Sequence, residues 1–537
     1  FNCCVAKPVT QAQVRTMRSQ GKTAAYDAVQ AEWKRLRDLK TWDEDHPREY
    51  EEVQAEAKRL GVTYHYGNVF NLCVLKGSEL PEGTKGRKYK GRTVFQGNRV
   101  WDENWEVAMF QELSSSPATM EAAKVADLIG MTPGYVTQQA DAKQAYTQSH
   151  LGGDPTFILL PEEEQPAWWK KAFPNMRKPV CKLDLALYGH PNAGAYWEQH
   201  CDKHMRNIGF QPIDDNDAWR SCYWNPVKKA FLVIYVDDFK LSAPKTEIDE
   251  IWEEIQADCK DAKGNILSKG IEIEEVTGHE KFLGCLHTPG RKRSPKTGNW
   301  VNTLTYDMSD FMKQCVDVYC ELAKFDKNRL KKVPTPFLEQ TSNKSCDVCP
   351  GCCNMCNAQC QSGNSMHGAN VAKGSDSADP KTNVGDNGVQ DYGGRLRSIA
   401  SKVLMKILYG ARMARPDLLK AIGRLATKVT KWTPKCDEEL HRLVCYIHST
   451  TSKCLVAWCG DKLQDLKLVL FADANFAEEA DAKSTSGVFM EIQGPDTRFM
   501  LAALSKKQSC VSHSTPEAEI VAADYALRTE GIPALIL

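Results

Sequence analysis

The sequence predicts an α+β fold, and three observations carry that expectation. Gln11 to Leu39, Glu51 to Leu60, Ser309 to Phe325 and Arg395 to about Ser449 space their apolar residues as helices do, whereas the stretch from about residue 61 to Leu286 is rich in strands. Phe231 to Tyr235, then Val236-Asp237, then Asp238 to Leu241 read as strand, tight turn and strand. Glu339 to Gly394 loses periodicity and fills with Gly, Ser, Asn and Asp, which predicts a disordered linker between the two halves.

The first helical stretch carries Trp33 and Leu36 on an apolar stripe. In Ser309 to Phe325 one face gathers Phe311, Met312, Cys315, Val318, Tyr319 and Leu322. Near the C-terminus, Leu468 to Phe471 reads as a strand delivering Asp473, and Pro516 suits a first helical turn, which sets Glu519 early on a helix. A chain of 537 residues, 42% of them hydrophobic, has material for several cores. There are no internal repeats.

The net charge is zero, which argues against a surface that is basic throughout, so any anion-binding groove needs local segregation of charge. Three basic runs qualify: Lys85, Arg87, Lys88, Lys90 and Arg92; Arg291-Lys292-Arg293; and Lys327, Arg329, Lys331 and Lys332. No apolar run approaches the roughly 20 residues of a membrane span, and no signal peptide is visible, so no membrane partner is expected. Twenty-one cysteines without a secretory signal favour a reducing, intracellular compartment and free thiols.

Asp237 and Asp238 are the most informative residues. Neighbouring acids within a strand point to opposite faces, but at a bend they can serve one site. Their mutual repulsion is relieved by a divalent cation, and hard oxygen ligands suit Mg²⁺ (or Mn²⁺). An exposed polar turn is the ordinary alternative, and the apolar strand and Tyr235-Val236 before the acids weigh against it.

Tyr235-Val236-Asp237-Asp238 resembles the active-site signature of reverse transcriptases. Tyr135 to Tyr146 resembles the first catalytic motif of copia-like retrotransposon enzymes, with Asp141 as the third metal ligand and Tyr146 as the aromatic that crowds a ribose 2′-OH. Lys88 to Val94 is similar to the family's fingers segment, which implies that Lys90 and Arg92 hold the incoming triphosphate; Gln96 stands where the family usually has a further Lys. Val180 to Leu183 and Leu187 to Trp197 resemble the segment beneath template and nucleotide, Phe282-Leu283-Gly284 the primer-grip hairpin, and Tyr409 to Asp417 the region after the thumb. Phe471 to Asn475, Lys483 to Gly487, Ser505 to Gln508 and Ser514 to Glu519 resemble the ribonuclease H domain of the same elements, with Asp473 and Glu519 as its acids. A further acid of that domain has no counterpart before Leu537, and Phe1 is not an initiator, so the chain is expected to be a piece of a longer polyprotein with an incomplete nuclease domain. Ile532, Leu535, Ile536 and Leu537 would then lack apolar partners.

Within the linker, Cys346, Cys349, Cys352 and Cys356 have the spacing of iron–sulfur ligation, with Asn357 in place of the usual Pro. Zinc would also accept four such thiolates, and an insertion without a metal is the alternative.

The resemblance implies a right-hand polymerase of fingers, palm and thumb. The expected layout is an N-terminal helical segment over 1–60, the polymerase over 61–337, the Cys-rich linker over 338–394, a helical connection over 395–455, and a partial ribonuclease H-like α/β domain over 465–537. It implies RNA and DNA template-primers and deoxynucleoside triphosphates as partners, and a cytoplasmic particle or the nucleus as location. A decayed element that only binds nucleic acid is the competing reading.

Overall fold

Gln11 to Leu39, expected to be helical throughout, is two helices in the computed structural model of the chain, Gln11–Ser19 and Ala24–Asp38. The Thr10 hydroxyl accepts from the Gln13 amide, and the Gln13 side chain accepts from the Thr10 amide, a reciprocal cap that starts the first helix. Gly21, at φ 78°, lies in the break between the two helices, in a conformation that no helical residue adopts. The second helix buries Trp33 and Leu36, as the stripe predicts.

The structure describes residues 7–78, 81–84, 86–104, 106, 108, 118–214, 219–338, 393–477 and 481–537. The Cys346, Cys349, Cys352 and Cys356 cluster lies outside them. The described residues mix α and β structure in two compact units, 1–130 with 134–278, and 131–133 with 279–537.

In the first unit, a six-stranded sheet is built around His65–Lys76, which pairs antiparallel with Lys88–Phe95 and parallel with Thr156–Leu159. Helix Ala24–Asp38 lies on this sheet. It comes so close at Gly91 that a Cβ there would sit 2.5 Å from the Ala28 carbonyl oxygen. Trp33, Phe95, Ile158, Cys181 and Leu187 fill the core between them.

A second, five-stranded sheet is antiparallel throughout, in the order Tyr135–Asp141, Asp238–Pro244, Ala230–Tyr235, Cys222–Asn225, Gln211–Pro212. Strand alternation sorts its two faces. Phe239, Leu241 and Ala243 enter a core with Trp197, Met205, Ile251 and Trp252 from the helices Ala193–Asn207 and Ile248–Gln256. Lys240 and Ser242 turn the other way, toward helix Met120–Met131. There Lys240 Nζ lies 2.8 Å from Asp127 Oδ1, with both side chains 1% exposed, and Ser242 Oγ donates to the Ala126 carbonyl at 2.6 Å.

The second unit holds a seven-stranded sheet in the order Lys281–Phe282, Cys285–Arg293, Trp300–Asp307, Leu455–Cys459, Thr497–Lys507, Thr485–Gly494, Lys467–Asn475. The hairpin expected at Phe282-Leu283-Gly284 forms, with Leu283 and Gly284 at φ 49° and 78° in its turn. Helix Ser309–Ala323 buries Phe311, Met312, Cys315 and Tyr319 as expected, but Val316 and Cys320 join them while Val318 and Leu322 stay half-buried. The helical region after residue 395 divides into Arg397–Ala414, Leu419–Ala426 and Pro434–Ser449. In the C-terminal helix Ile532–Ile536, Ile532, Leu535 and Ile536 are exposed. Among the described residues no helix is long and apolar enough to cross a membrane.

Candidate active site

Tyr235 pairs with Asp238, so Val236 and Asp237 form a two-residue turn between Ala230–Tyr235 and Asp238–Pro244. Val236 adopts φ 60°, a left-handed conformation that costs a β-branched residue on the order of 1–3 kcal/mol. Two hydrogen bonds hold the strained turn. Trp197 Nε1–H donates to the Val236 carbonyl at 2.6 Å, and the Ala142 amide donates to the Asp237 carbonyl at 2.7 Å.

On its other side, the strand from Asp238 pairs with Tyr135–Asp141, and the register sets Asp238 directly across from Asp141. Cross-strand partners share a face, so the two carboxyls meet, with Asp237 beside them in the turn. The three acids expected to act together are thus brought to one end of one sheet. Asp238 is pushed up to about 8 by burial, by the charges of Asp237 and Asp141, and by its hydrogen bond to Asp141. Asp141 is raised by desolvation and by Asp237 and Glu274, against the Asp238 hydrogen bond and Lys76.

Among the described residues no group of three or more His, Cys, Asp and Glu side chains stands as a ready-made metal cage. Here two of the three carboxyls close on each other by sharing a proton. Such a pair fits a divalent cation, which would replace the proton and offset the repulsion that raises Asp238.

The expected cationic residues stand on strand Lys88–Phe95. Lys90 and Arg92 lie across from Val74 and Leu72, two residues apart and so on one face. Lys90 is depressed by burial and by the nearby charges of Lys76 and Arg92. Arg92 places its guanidinium carbon 4.8 Å from the Tyr188 ring centre, and Tyr188 lies 4.5 Å from the Tyr146 ring. Burial raises the Tyr146 hydroxyl, and the Asp237 charge adds to it while Arg92 opposes. Tyr146, Tyr188, Arg92 and the acids therefore share one electrostatic environment.

Beneath them the chain folds tightly. The Phe95 amide donates to the Tyr188 carbonyl at 2.7 Å, and at Gly189, φ 91°, a Cβ would sit 2.1 Å from the Phe95 carbonyl oxygen. His190 follows, buried, with Nδ1 accepting from the Asn192 amide and Nε2 beside the Thr156 hydroxyl, and burial drives its pKa down to about 4. The Gln96 amide donates to the Asn68 carbonyl. Tyr188, Trp197, Lys76 and Glu274 are the site residues to which sequence reasoning assigned no individual role. Tyr188 and Trp197 lay inside a quoted motif, but nothing in the string tells which ring or which strained carbonyl each would meet.

In the second unit, Asp473 lies exposed on Lys467–Asn475, paired across to Gly487, and Glu519 is half-buried on helix Thr515–Ala526, which packs against that strand. Neither side chain has a hydrogen-bond or ion-pair partner among the described residues. Glu517 is engaged in capping: its carboxylate accepts from the His513 amide at 2.7 Å, and its own amide donates to Ser514 Oγ. Asp524 pairs with Arg528 one turn on. Of the acids on this helix, Glu517 and Asp524 are thus engaged, whereas among the described residues the Glu519 side chain is not.

Residues 78–284 match the family of reverse transcriptases (RNA-dependent DNA polymerase). Over 442 residues, 81% of the chain, the sequence is 22% identical to a retrovirus-related Pol polyprotein from transposon TNT 1-94 of Nicotiana tabacum. Residues 78–284 are a copia-like reverse transcriptase region. That region contains Lys90, Arg92, Asp141, Tyr146, Tyr188, Trp197, Asp237 and Asp238. The chain spans 27% of the tobacco relative's length.

Proposed function

We propose that the chain is the polymerase part of a retrotransposon polyprotein, an RNA- and DNA-templated DNA polymerase working by two-metal nucleotidyl transfer. The observation that carries this reading is the meeting of Asp141, Asp237 and Asp238 at one sheet end, with Asp238 raised far above the usual carboxylate range. The five-stranded sheet would be the palm, the Lys88–Phe95 region the fingers, and helix Ser309–Ala323 part of the thumb.

In the reaction the primer 3′-oxygen attacks the nucleotide α-phosphorus in line; the O3′–P bond forms, the bond to the β-phosphate bridge breaks, and pyrophosphate leaves. Asp141, Asp237 and Asp238 would hold Mg²⁺ or Mn²⁺. When bound, the metals would make the 3′-hydroxyl easier to deprotonate and offset charge on the leaving group. Lys90 and Arg92 would meet the triphosphate, Arg92 held in place by its contact with the Tyr188 ring. Tyr146, backed by Tyr188, would exclude a ribose 2′-OH. Template-primer of RNA or DNA and deoxynucleoside triphosphates would be the partners, in a cytoplasmic particle or the nucleus. Asp473 and Glu519 would be two acids of a ribonuclease H site that needs at least one more.

The test is extension of a DNA primer on an RNA template by the purified chain. Extension that follows the template sequence and stops with EDTA supports the reading. A folded chain that extends no primer in Mg²⁺ or Mn²⁺ contradicts it.

A further inference from the structure

The turn that carries Asp237 has two carbonyls, and each is tied down by a different part of the first unit. The Asp237 carbonyl accepts from the Ala142 amide, which is backbone and follows directly from the sheet that carries Asp141. The Val236 carbonyl is held by a side chain. Trp197, on helix Ala193–Asn207, reaches it with Nε1–H at 2.6 Å while its ring is 2% exposed and packed in the core with Phe239 and Leu241. An indole has one polar hydrogen, and here it goes to the carbonyl of the residue whose backbone is strained. Two fixed carbonyls orient both peptide planes that flank Asp237, and with them the direction of its side chain.

We propose that Trp197 is a positioning residue for the reaction: its indole N–H holds Val236 in the left-handed conformation and so aims the Asp237 carboxylate at the space shared with Asp141 and Asp238. The inference rests on the polymerase reading for its kinetic consequence, but not for its structural one. A ring that merely filled the core would do the same with carbon in place of nitrogen. A ring that positions the turn needs the hydrogen.

The conservative perturbations are Trp197→Phe and replacement of Trp197 by benzothienylalanine, which keeps the bicyclic shape and lacks the donor. Both are compared with the wild-type chain in two measurements. Hydrogen exchange reads the turn directly: without the donor, the Ala142 amide should exchange at least about 10-fold faster, because losing a hydrogen bond at the turn lowers the local opening free energy. Single-turnover primer extension reads the consequence: the rate at saturating nucleotide should fall by about 10-fold or more, with nucleotide KM little changed and the Mg²⁺ concentration for half-maximal rate increased. Because benzothienylalanine preserves packing, its melting temperature should stay close to wild type, which separates positioning from stability.

Faster exchange with a lower rate and a higher metal requirement supports the proposal. Unchanged exchange and unchanged metal requirement in the benzothienylalanine protein overturns it, whatever Trp197→Phe does to folding. If the wild-type chain extends no primer yet the exchange at Ala142 rises without the donor, the clamp stands and the polymerase reading falls. If wild-type extension is robust and neither measurement moves, the polymerase reading stands and the clamp falls.

Discussion

Lys240 stands two residues beyond Asp238 on the strand that carries it, and its side chain leaves the sheet toward helix Met120–Met131. The ammonium meets Asp127 at 2.8 Å with both side chains 1% exposed, so this ion pair sits in an interior where water contributes almost no screening. Replacing Lys240 by Met keeps the stem and removes the charge, leaving the buried Asp127 carboxylate without this ion pair. Breaking one side of a buried pair costs about 3–5 kcal/mol, because the remaining charge is desolvated without compensation. Replacing both partners, Lys240→Met with Asp127→Leu, removes the stranded charge and should recover most of that loss, since well-packed apolar pairs often match or exceed buried ion pairs. The assay is urea unfolding at pH 7, followed by tryptophan fluorescence, on wild type, both single variants and the double variant. With each single change costing about 3–5 kcal/mol and the double change about 1 kcal/mol, a coupling energy on the order of 5 kcal/mol or more between the two positions is expected. A single Lys240→Met variant that loses less than about 1 kcal/mol would refute the reasoning, because a loss that small is what an exposed pair shows. The pair would then not be what seats the Asp238 strand on the helix.

Parts of this site could be read from the string alone because they depend only on local rules. Asp237 and Asp238 stand out against an apolar strand, and alternation alone puts Lys90 and Arg92 on one face, as the sheet has them, whereas Asp141 was singled out only by the family resemblance. Glu519 was singled out by the family resemblance, and only the structure shows that Glu517 is taken up by the helix cap. What was not legible depends on approach in three dimensions. Gly21 broke a stretch whose periodicity runs on either side of it. Val316 and Cys320 entered the core in place of Val318 and Leu322 because a neighbouring surface, rather than the pattern, decides which edge of an apolar stripe is covered. The pairing of Trp300–Asp307 with Leu455–Cys459 joins strands separated by several helices, and no local signal announces it. Tyr188 against Arg92 and Trp197 against Val236 are contacts between segments distant in sequence, and they give the site its geometry.

Three further outcomes are expected. Tyr146→Ala should lower discrimination against ribonucleotides by about 10²-fold, as expected when a steric contact at a sugar is removed, and unchanged kcat/KM ratios for dNTP over NTP would take Tyr146 out of that role. Arg92→Ala should raise nucleotide KM by about 10-fold or more with little change in template-primer affinity, since a hydrogen bond to a charged group is worth about 1.5–3 kcal/mol; a change confined to template-primer binding would move Arg92 from the triphosphate to the duplex. His190, depressed to about 4 by burial, is neutral when folded, so its contribution to stability is present above pH 6.5 and is lost as pH falls toward 4. Between pH 7 and pH 5 wild type should therefore lose about 2 kcal/mol more than His190→Asn, at 1.36 kcal/mol per pH unit; parallel stability curves for the two proteins would show that His190 takes up a proton without unfolding.

The claim on which the account depends is that Asp141, Asp237 and Asp238 act together as one anionic site, and single-turnover extension of a primer on an RNA template tests it most directly. Wild type, Asp141→Asn, Asp237→Asn and Asp238→Asn are compared at saturating nucleotide and Mg²⁺, with circular dichroism confirming that each is folded. The account predicts that each amide lowers the rate on the order of 10²–10³-fold or more, while template-primer affinity stays within a few-fold of wild type. Folded variants that extend the primer at rates near wild type would contradict it.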